Sequence, residues 1–479
     1  MYSPRLWRAV ALFLALCVSA TTAHCTVVHQ GSSQDVMFVG TVLTSEGPLE
    51  PGYILVQSGK IARMGNDAAC RTIGKASVVE CNGSVISPGF INTHEHIDCS
   101  TINPFPPIGT LYDHRHEWRV GLNDRPMLPA PVNGSETDAI KWGELRHIFS
   151  GTTSIVGNHM APGLARNLDF VSGLENGLES PADTYAIFPL DDAAGIVREG
   201  DCDYGANPID QETVKGLHRY IGHVAEGIGA EAQNEFRCLS DISYDTRPLS
   251  SGGGRSTDII APNVALVHAL GLSEADFDLV AERNATVVWS PRSNVALYGK
   301  TLNVTYLLEA GITVALGTDW LPSGSATMGR EALCGLTATH ISYGRTLESK
   351  TLWEMMTINA AKVAGFDKIL GSIEVGKLAD IVIFSGGNTK DSFGQAIYAA
   401  GEDIELVMRG GKVLVASHNL EHLTTGACES AAFGHVSKRI CVEDELGDTY
   451  KNFEASLGGV YPAILPGVPP NEPSCDPTR

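Results

Sequence analysis

The sequence predicts an α/β fold: an eight-stranded parallel (β/α)8 barrel of the TIM type, with a small β-sandwich assembled from both ends of the chain. Three observations predict it. Residues 35–88 and 376–417 share short alternating strands broken by Gly-containing turns, the mark of a small sandwich. Between them, over 89–375, apolar strand-like runs alternate with helical stretches, as in a parallel sheet covered by helices. His, Asp and Glu recur at the carboxyl ends of those runs, where barrels build their sites.

Residues 1–23 read as a secretory signal peptide. Arg5 and Arg8 precede the apolar run Ala9 to Val18, and small residues follow, with cleavage fitting after Ala20 or Ala23. The run is too short to span a bilayer comfortably. VMFVGTVLT, GYILVQSGKIARMG and SVVECNGSVISPG are the first sandwich strands. Seven barrel strands are clear: GFINTHEH, TTSIVGN (152–158), TYAIFPL (184–190), RYIGHVAE, VALVHAL (264–270), ATVVWSP (285–291) and ITVALGTD (312–319). An eighth is placed near LDFVSGL (168–174). SEADFDLVAERN is a helix with Ser273 as N-cap and Asp276 three residues on. Residues 191–215 read as a long loop over the mouth. GSIEVGKLADIVIFSG and IELVMRGGKVLVAS return to the sandwich, and 418–479 read as an extended, Pro-rich tail pinned by cysteines.

The 479 residues are 43% hydrophobic and 19% charged, which is globular composition. A net charge of -21 argues against nucleic acid or an anionic membrane as partner. The expected partner is a small-molecule substrate, and assembly into a homo-oligomer is left open. Of 11 cysteines, Cys17 leaves with the signal. The even remainder suits disulfides in an oxidising compartment, with Cys70–Cys81, Cys202–Cys238 and Cys428–Cys441 as the nearest local pairs. Sequons at Asn82, Asn133, Asn284 and Asn303 fit a secreted glycoprotein.

The chemistry starts at His94-Glu95-His96. Two imidazoles two residues apart on a strand point the same way and can bind one metal ion, whereas Glu95 faces away and is expected beneath the site. His223 closes RYIGH, Glu226 lies three residues on, His268 closes VALVH, and Asp319 closes TVALGTD. Alone, each has a bland reading as a hydrogen-bonded structural residue or a cap. Jointly they place one His pair, two single His and one Asp at the ends of separate strands.

With SPGFINTHEH, GTTSIV, HVAEG, VWSPRSNVALYG, VALGTDWLPSGS and TINAAKVAGFDKILGSIEVGKLADIVIF, the chain resembles the amidohydrolase superfamily over roughly residues 35–417. Its nearest branch looks like the mononuclear deaminases and chlorohydrolases, such as cytosine deaminase, guanine deaminase and atrazine chlorohydrolase. The bridging Lys of binuclear members has no counterpart on TYAIFPL, so the resemblance implies one metal. It implies His94, His96, His223 and Asp319 as ligands, zinc as the default ion and ferrous iron as the alternative. It further implies Asp319 as proton acceptor, Glu226 as proton shuttle and His268 as the group that polarises substrate or orients water. Arg115, His159, Arg292 and Trp320 are candidate substrate-binding residues, each Arg having a salt-bridged surface reading as well. The expected function is a secreted hydrolase that cleaves a C–N bond of a small molecule by deamination or by cyclic amidine or amide hydrolysis. An amidase or lactamase on an N-acyl substrate is the alternative, and a catalytically inactive secreted binding protein the third reading.

Overall fold

A computed structural model describes residues 24–67, 74–106, 109–128, 136–159, 161–169, 178, 181–247, 255–386 and 390–479. The signal segment, Cys70 and the Asn133 sequon lie outside them.

Eight short parallel strands follow one another along the middle of the chain. They are Phe90–Asn92, Thr152–Ile155, Arg166–Asn167, Thr184–Ala186, Tyr220–Val224, Val264–His268, Thr286–Trp289 and Val314–Leu316. The first three pair in order as one sheet and the remaining five as another. Backbone hydrogen bonds run across both gaps. Asp183 N donates to Leu168 O at 2.8 Å, and Asp319 N to His94 O at 2.8 Å. The third of these strands is the pair Arg166–Asn167, whereas residues 170–174 of the strand expected at 168–174 lie outside the described residues.

Side-chain alternation explains why these runs are strands. Ile221, Ala265, Val267, Val288 and Ala315 belong to one buried cluster. Their neighbours Val264, Leu266, Val287, Trp289, Val314 and Leu316 belong to another, shared with the surrounding helices. Period-two segregation between two apolar environments is what a strand buried on both faces requires. Among the covering helices, Glu274–Glu282 carries the expected capping box, with Ser273 and Asp276 bonded reciprocally.

Both ends of the chain build one mixed sheet of ten strands. Ala76–Pro88 is the seam: it pairs with Ser32–Thr44 on one side and with Ile381–Phe384 on the other. The sheet reaches beyond the expected 35–88 and 376–417, taking in His24–His29 and the hairpin Glu429–Phe433/Val436–Ile440. One face packs into its own core around Phe38, Ile54, Ile86, Ile383 and Met408. Residues of the other parity, including Val382, Phe384 and Val407, join the main core. A buried ion pair ties the two parts together: Arg166 Nε and Nη2 bond the Asp380 carboxylate at 2.7 and 3.1 Å, and Gly410 N donates to it at 2.6 Å. Arg166→Ala should lower stability by roughly 3–5 kcal/mol, because Asp380 keeps its burial and loses its countercharge. Chemical denaturation measures this, and an unchanged midpoint refutes it.

Residues 418–479 are not an extended tail. They form a 3-10 turn, the added hairpin and helices Glu443–Leu446 and Tyr450–Ser456. The physical reason is the apolar side chains dispersed among the polar and Pro residues. Leu420, Leu423, Phe433, Ile440, Tyr450, Phe453 and Tyr461 are all buried. Tyr450 stacks on Trp142 with ring planes 7° apart.

Cys202–Cys238 and Cys428–Cys441 are disulfides, as spacing suggested. Cys70–Cys81 is corrected: Cys81 pairs with Cys25, which faces it across antiparallel strands. Cys334–Cys475 links the last segment to helix Met328–Tyr343, and Cys99 is a buried free thiol.

Candidate metal centre

The carboxyl ends of the first, fifth, sixth and eighth strands bring His94, His96, His223, His268 and Asp319 together. His94 Nε2 lies 3.1 Å from His223 Nε2 and 3.3 Å from Asp319 Oδ1. His96 Nε2 lies 3.4 Å from the same oxygen. His268 Nε2 is 4.0 Å from Asp319 Oδ2 and 3.7 Å from Glu226 Oε2. His94, His96 and Asp319 form one group able to hold an ion, and His94, His223 and His268 another.

Local backbone explains the convergence. Alternation would turn His268 outward, since its strand mates Ala265 and Val267 face inward. His268 instead adopts φ +66°, which breaks the alternation and brings its ring to 4.9 Å from that of His94. Asp319 has φ +62° and Ala225, between His223 and Glu226, φ +57°. Left-handed non-glycine residues cost of order 1 kcal/mol or more each, and they cluster where geometry serves a site. Gly317 is needed for a different reason: a Cβ there would sit 2.4 Å from that of His94.

The residues fit a divalent ion. Metal–ligand bonds of about 2.0–2.1 Å at tetrahedral angles separate ligand atoms by about 3.3 Å, close to the spacings seen. The far sides of the imidazoles are tied down. His223 Nδ1 donates to Ala186 O at 3.1 Å, His268 Nδ1 bonds Asn294 Oδ1 at 3.0 Å, and His94 Nδ1 bonds Ser290 Oγ at 2.8 Å. A proton on Nδ1 leaves the Nε2 lone pairs of His223 and His268 facing the cluster, the arrangement in which histidine binds metal. Burial, then neighbouring imidazoles, push His94 and His223 well below the usual histidine range. Burial pushes Asp319 well above the usual carboxylate range, with Glu226 adding to it. Neutral imidazoles and an uncompensated carboxylate are what a cation would complete.

Glu226 is buried at the edge of this cluster and accepts a 2.7 Å hydrogen bond from Tyr298 OH. Burial alone would raise its pKa, yet His268, Arg115 and the Tyr298 hydroxyl hold it below the usual range. Glu95 lies beneath the site as expected. It accepts from Asn92 Nδ2 at 3.1 Å and from Thr318 Oγ1, and His147 Nε2 is 3.3 Å away.

The four substrate-binding candidates separate. Arg115 is 1% exposed and committed to Asp192 at 2.5 Å and Ile187 O at 2.9 Å, so it is corrected to a buried structural charge. Arg292 is likewise corrected: it bonds Ser325, Pro473 O and Arg330 O. Both guanidinium groups are held by partners distant in sequence, although Arg115 Nε is buried without a hydrogen-bond partner. Trp320 stacks on Trp118 at 5.3 Å, with Phe105 edge-on at 5.4 Å, in a partly open aromatic wall. His159 lies half-buried beside Asp169.

Sequence reasoning missed Tyr185, whose hydroxyl is 3.4 Å from His96 Nε2, and most of helix Pro291–Tyr298. That helix, with its N-cap Ser290, carries Ser293, Asn294 and Tyr298. Ser293 Oγ donates to Asp319 Oδ2 at 2.5 Å. The run SPRSNVALYG held the signal: polar residues at three- and four-residue spacing, directly after a strand.

Comparison with known proteins agrees with this geometry. The sequence model of the amidohydrolase family matches residues 219–414. A 5-methylthioadenosine/S-adenosylhomocysteine deaminase of Halothermothrix orenii is 24% identical over 421 residues, covering 80% of this chain and 93% of the relative. A 5'-deoxyadenosine deaminase of Methanosarcina acetivorans is 25% identical, covering 80% and 92%. The fold is shared with a zinc-bound adenosine deaminase from Xanthomonas campestris, at TM-score 0.58 and 17% identity over 88% of this chain and 98% of the other. It is also shared with a zinc complex of atrazine chlorohydrolase from Arthrobacter aurescens, at TM-score 0.58 and 17% identity over 88% and 100%. The chain is similar to the amidohydrolase family over residues 219–414 and to deaminases over most of its length, which supports a hydrolase of carbon–nitrogen bonds other than peptide bonds.

Proposed function

We propose that this chain is a secreted single-metal hydrolase that releases ammonia from a small aminated heterocycle or cyclic amidine. The observation that carries the reading is the convergence of His94, His96, His223 and Asp319 with a buried, hydrogen-bonded Glu226 at their edge. Zinc is the ion we favour, and ferrous iron fits the same donors. The two parallel sheets, bonded across both gaps, support a closed eight-stranded barrel, and the ten-stranded sheet supports a sandwich folded from both chain ends.

His94, His96, His223 and Asp319 would hold a divalent ion, and the chemistry it would supply there is a water whose pKa is brought towards neutrality. Asp319 takes the proton of the attacking water at Oδ2, where Ser293 fixes the carboxylate. His268, beside both Asp319 and Glu226, orients the water and the substrate atom that gains negative charge. Glu226, ionised and steered by Tyr298, shuttles the proton that Asp319 takes from water to the departing nitrogen, so that both carboxylates end as they began, and the second water proton stays on the product. A C–O bond forms, the C–N bond breaks, and ammonia leaves.

Deamination is favoured over amide cleavage because the relatives include deaminases of adenosine derivatives. A panel of aminated heterocycles, lactams and N-acyl amino acids, read for ammonia and for new carboxylate, decides. Carboxylate without ammonia overturns the reading. Chelation should abolish turnover and lower the melting temperature, and added zinc should restore both. Unchanged activity after complete metal removal refutes the metal assignment. Export predicts a mature protein beginning at residue 21 or 24, which N-terminal sequencing of secreted material checks.

A further inference from the structure

Residues 472–479 lie along helix Pro291–Tyr298 and hold it at both ends. At its start, Arg292 bonds Pro473 O, and the Glu472 carboxylate lies 3.2 Å from Arg292 Nη2 and 2.5 Å from Arg330 Nη2. This carboxylate is 6% exposed, so its ion pairs are little screened. At its end, Thr478 N and Arg479 N donate to Gly299 O at 3.0 and 3.1 Å, occupying the carbonyl that terminates the helix. Arg479 then reaches across to Asp113 and to Tyr112 O, on the segment leading into Trp118 and the Glu226 backbone partner Arg115. Cys334–Cys475 fixes the middle of the arm to helix Met328–Tyr343.

The clamped helix and its N-cap touch four of the site residues. Ser290 bonds His94, Ser293 bonds Asp319, Asn294 bonds His268, and Tyr298 bonds Glu226. None of the eight arm residues bonds a site residue directly. We propose that residues 472–479 are a positioning clamp, with Glu472 and Arg292 as positioning residues that act on the metal ligands and on Glu226 through this helix. The turnover arm of the test rests on the hydrolase reading, and the metal-release arm does not.

The experiment compares wild type, Glu472→Gln, Glu472→Asp and Cys475→Ser in the zinc-loaded full chain. Zinc transfer to a chromogenic chelator and steady-state kinetics are measured well below each melting temperature. Loss of outer hydrogen bonds to ligands typically costs 10–100-fold in metal affinity or activity. We expect zinc release in Glu472→Gln to quicken about tenfold, kcat to fall about tenfold and KM to stay within about twofold. Cys475→Ser should move the same way by less, and Glu472→Asp should recover part of the loss. Faster release with no turnover in any protein, wild type included, keeps the clamp and sinks the hydrolase reading. A lower melting temperature with unchanged release and unchanged kcat makes the arm a stability element alone and overturns the proposal.

Discussion

Asp319→Asn and His223→Ala should each cut kcat/KM by at least about 10³-fold while the fold survives. Loss of metal-supplied charge stabilisation is worth several kcal/mol, and about 1.4 kcal/mol is a decade in rate. Asparagine keeps the shape of Asp319 and its bond to Ser293, but removes the ligand charge and the proton acceptor. The alanine at 223 removes an Nε2 that lies 3.1 Å from that of His94 and leaves Ala186 O without its donor. The fold should hold because burial works against the charged form of Asp319 and leaves its carboxylate uncompensated without a cation. Metal content and activity are measured on the same folded sample, with circular dichroism as control. Either variant turning over at more than a tenth of wild type would sink the site.

Glu226→Gln should lower kcat by about 10²–10⁴-fold, the usual worth of a positioned proton donor, with zinc retained and KM little changed. The substitution is isosteric, and the glutamine oxygen still accepts from Tyr298, so packing is preserved. What disappears is the carboxylate that carries a proton to the leaving nitrogen. A substrate whose leaving group needs no protonation should lose much less. If both substrates suffer equally, Glu226 positions the site and transfers no proton.

Seven of the eight strands were legible because a largely apolar run marks each and ends in a polar residue; the other is the polar pair Arg166–Asn167, which has no such run. His94, His96, His223, Glu226, His268 and Asp319 were legible because each sits at such an end. What the sequence could not carry was pairing over distance. Arg292 was open to a substrate-binding reading and to a salt-bridged surface one, and its partners Pro473 and Glu472, some 180 positions away, could not be named. Cys81 had a nearer partner in Cys70, and only the register that puts Cys25 opposite it decides the matter. Residues 418–479 were misread because Pro and polar residues outweighed dispersed aromatic ones such as Phe433 and Tyr450, which are buried.

The seam at Ala76–Pro88 constrains the order in which this protein can be made. Its Pro88 end faces Ile381, so the partner emerges only after the whole catalytic region has been synthesised. At about 5–20 residues per second, that delay is on the order of 15–60 seconds. During it, the Val85–Pro88 end presents an unpaired edge, although His24–His29 already covers Val78–Asn82, and Ile86 lacks the covering Ile381 and Ile383. An open apolar edge is a template for pairing with another chain. That edge is open to mispairing until residue 384 is available. Moving the first five strands to the other end of the chain by circular permutation would remove the wait.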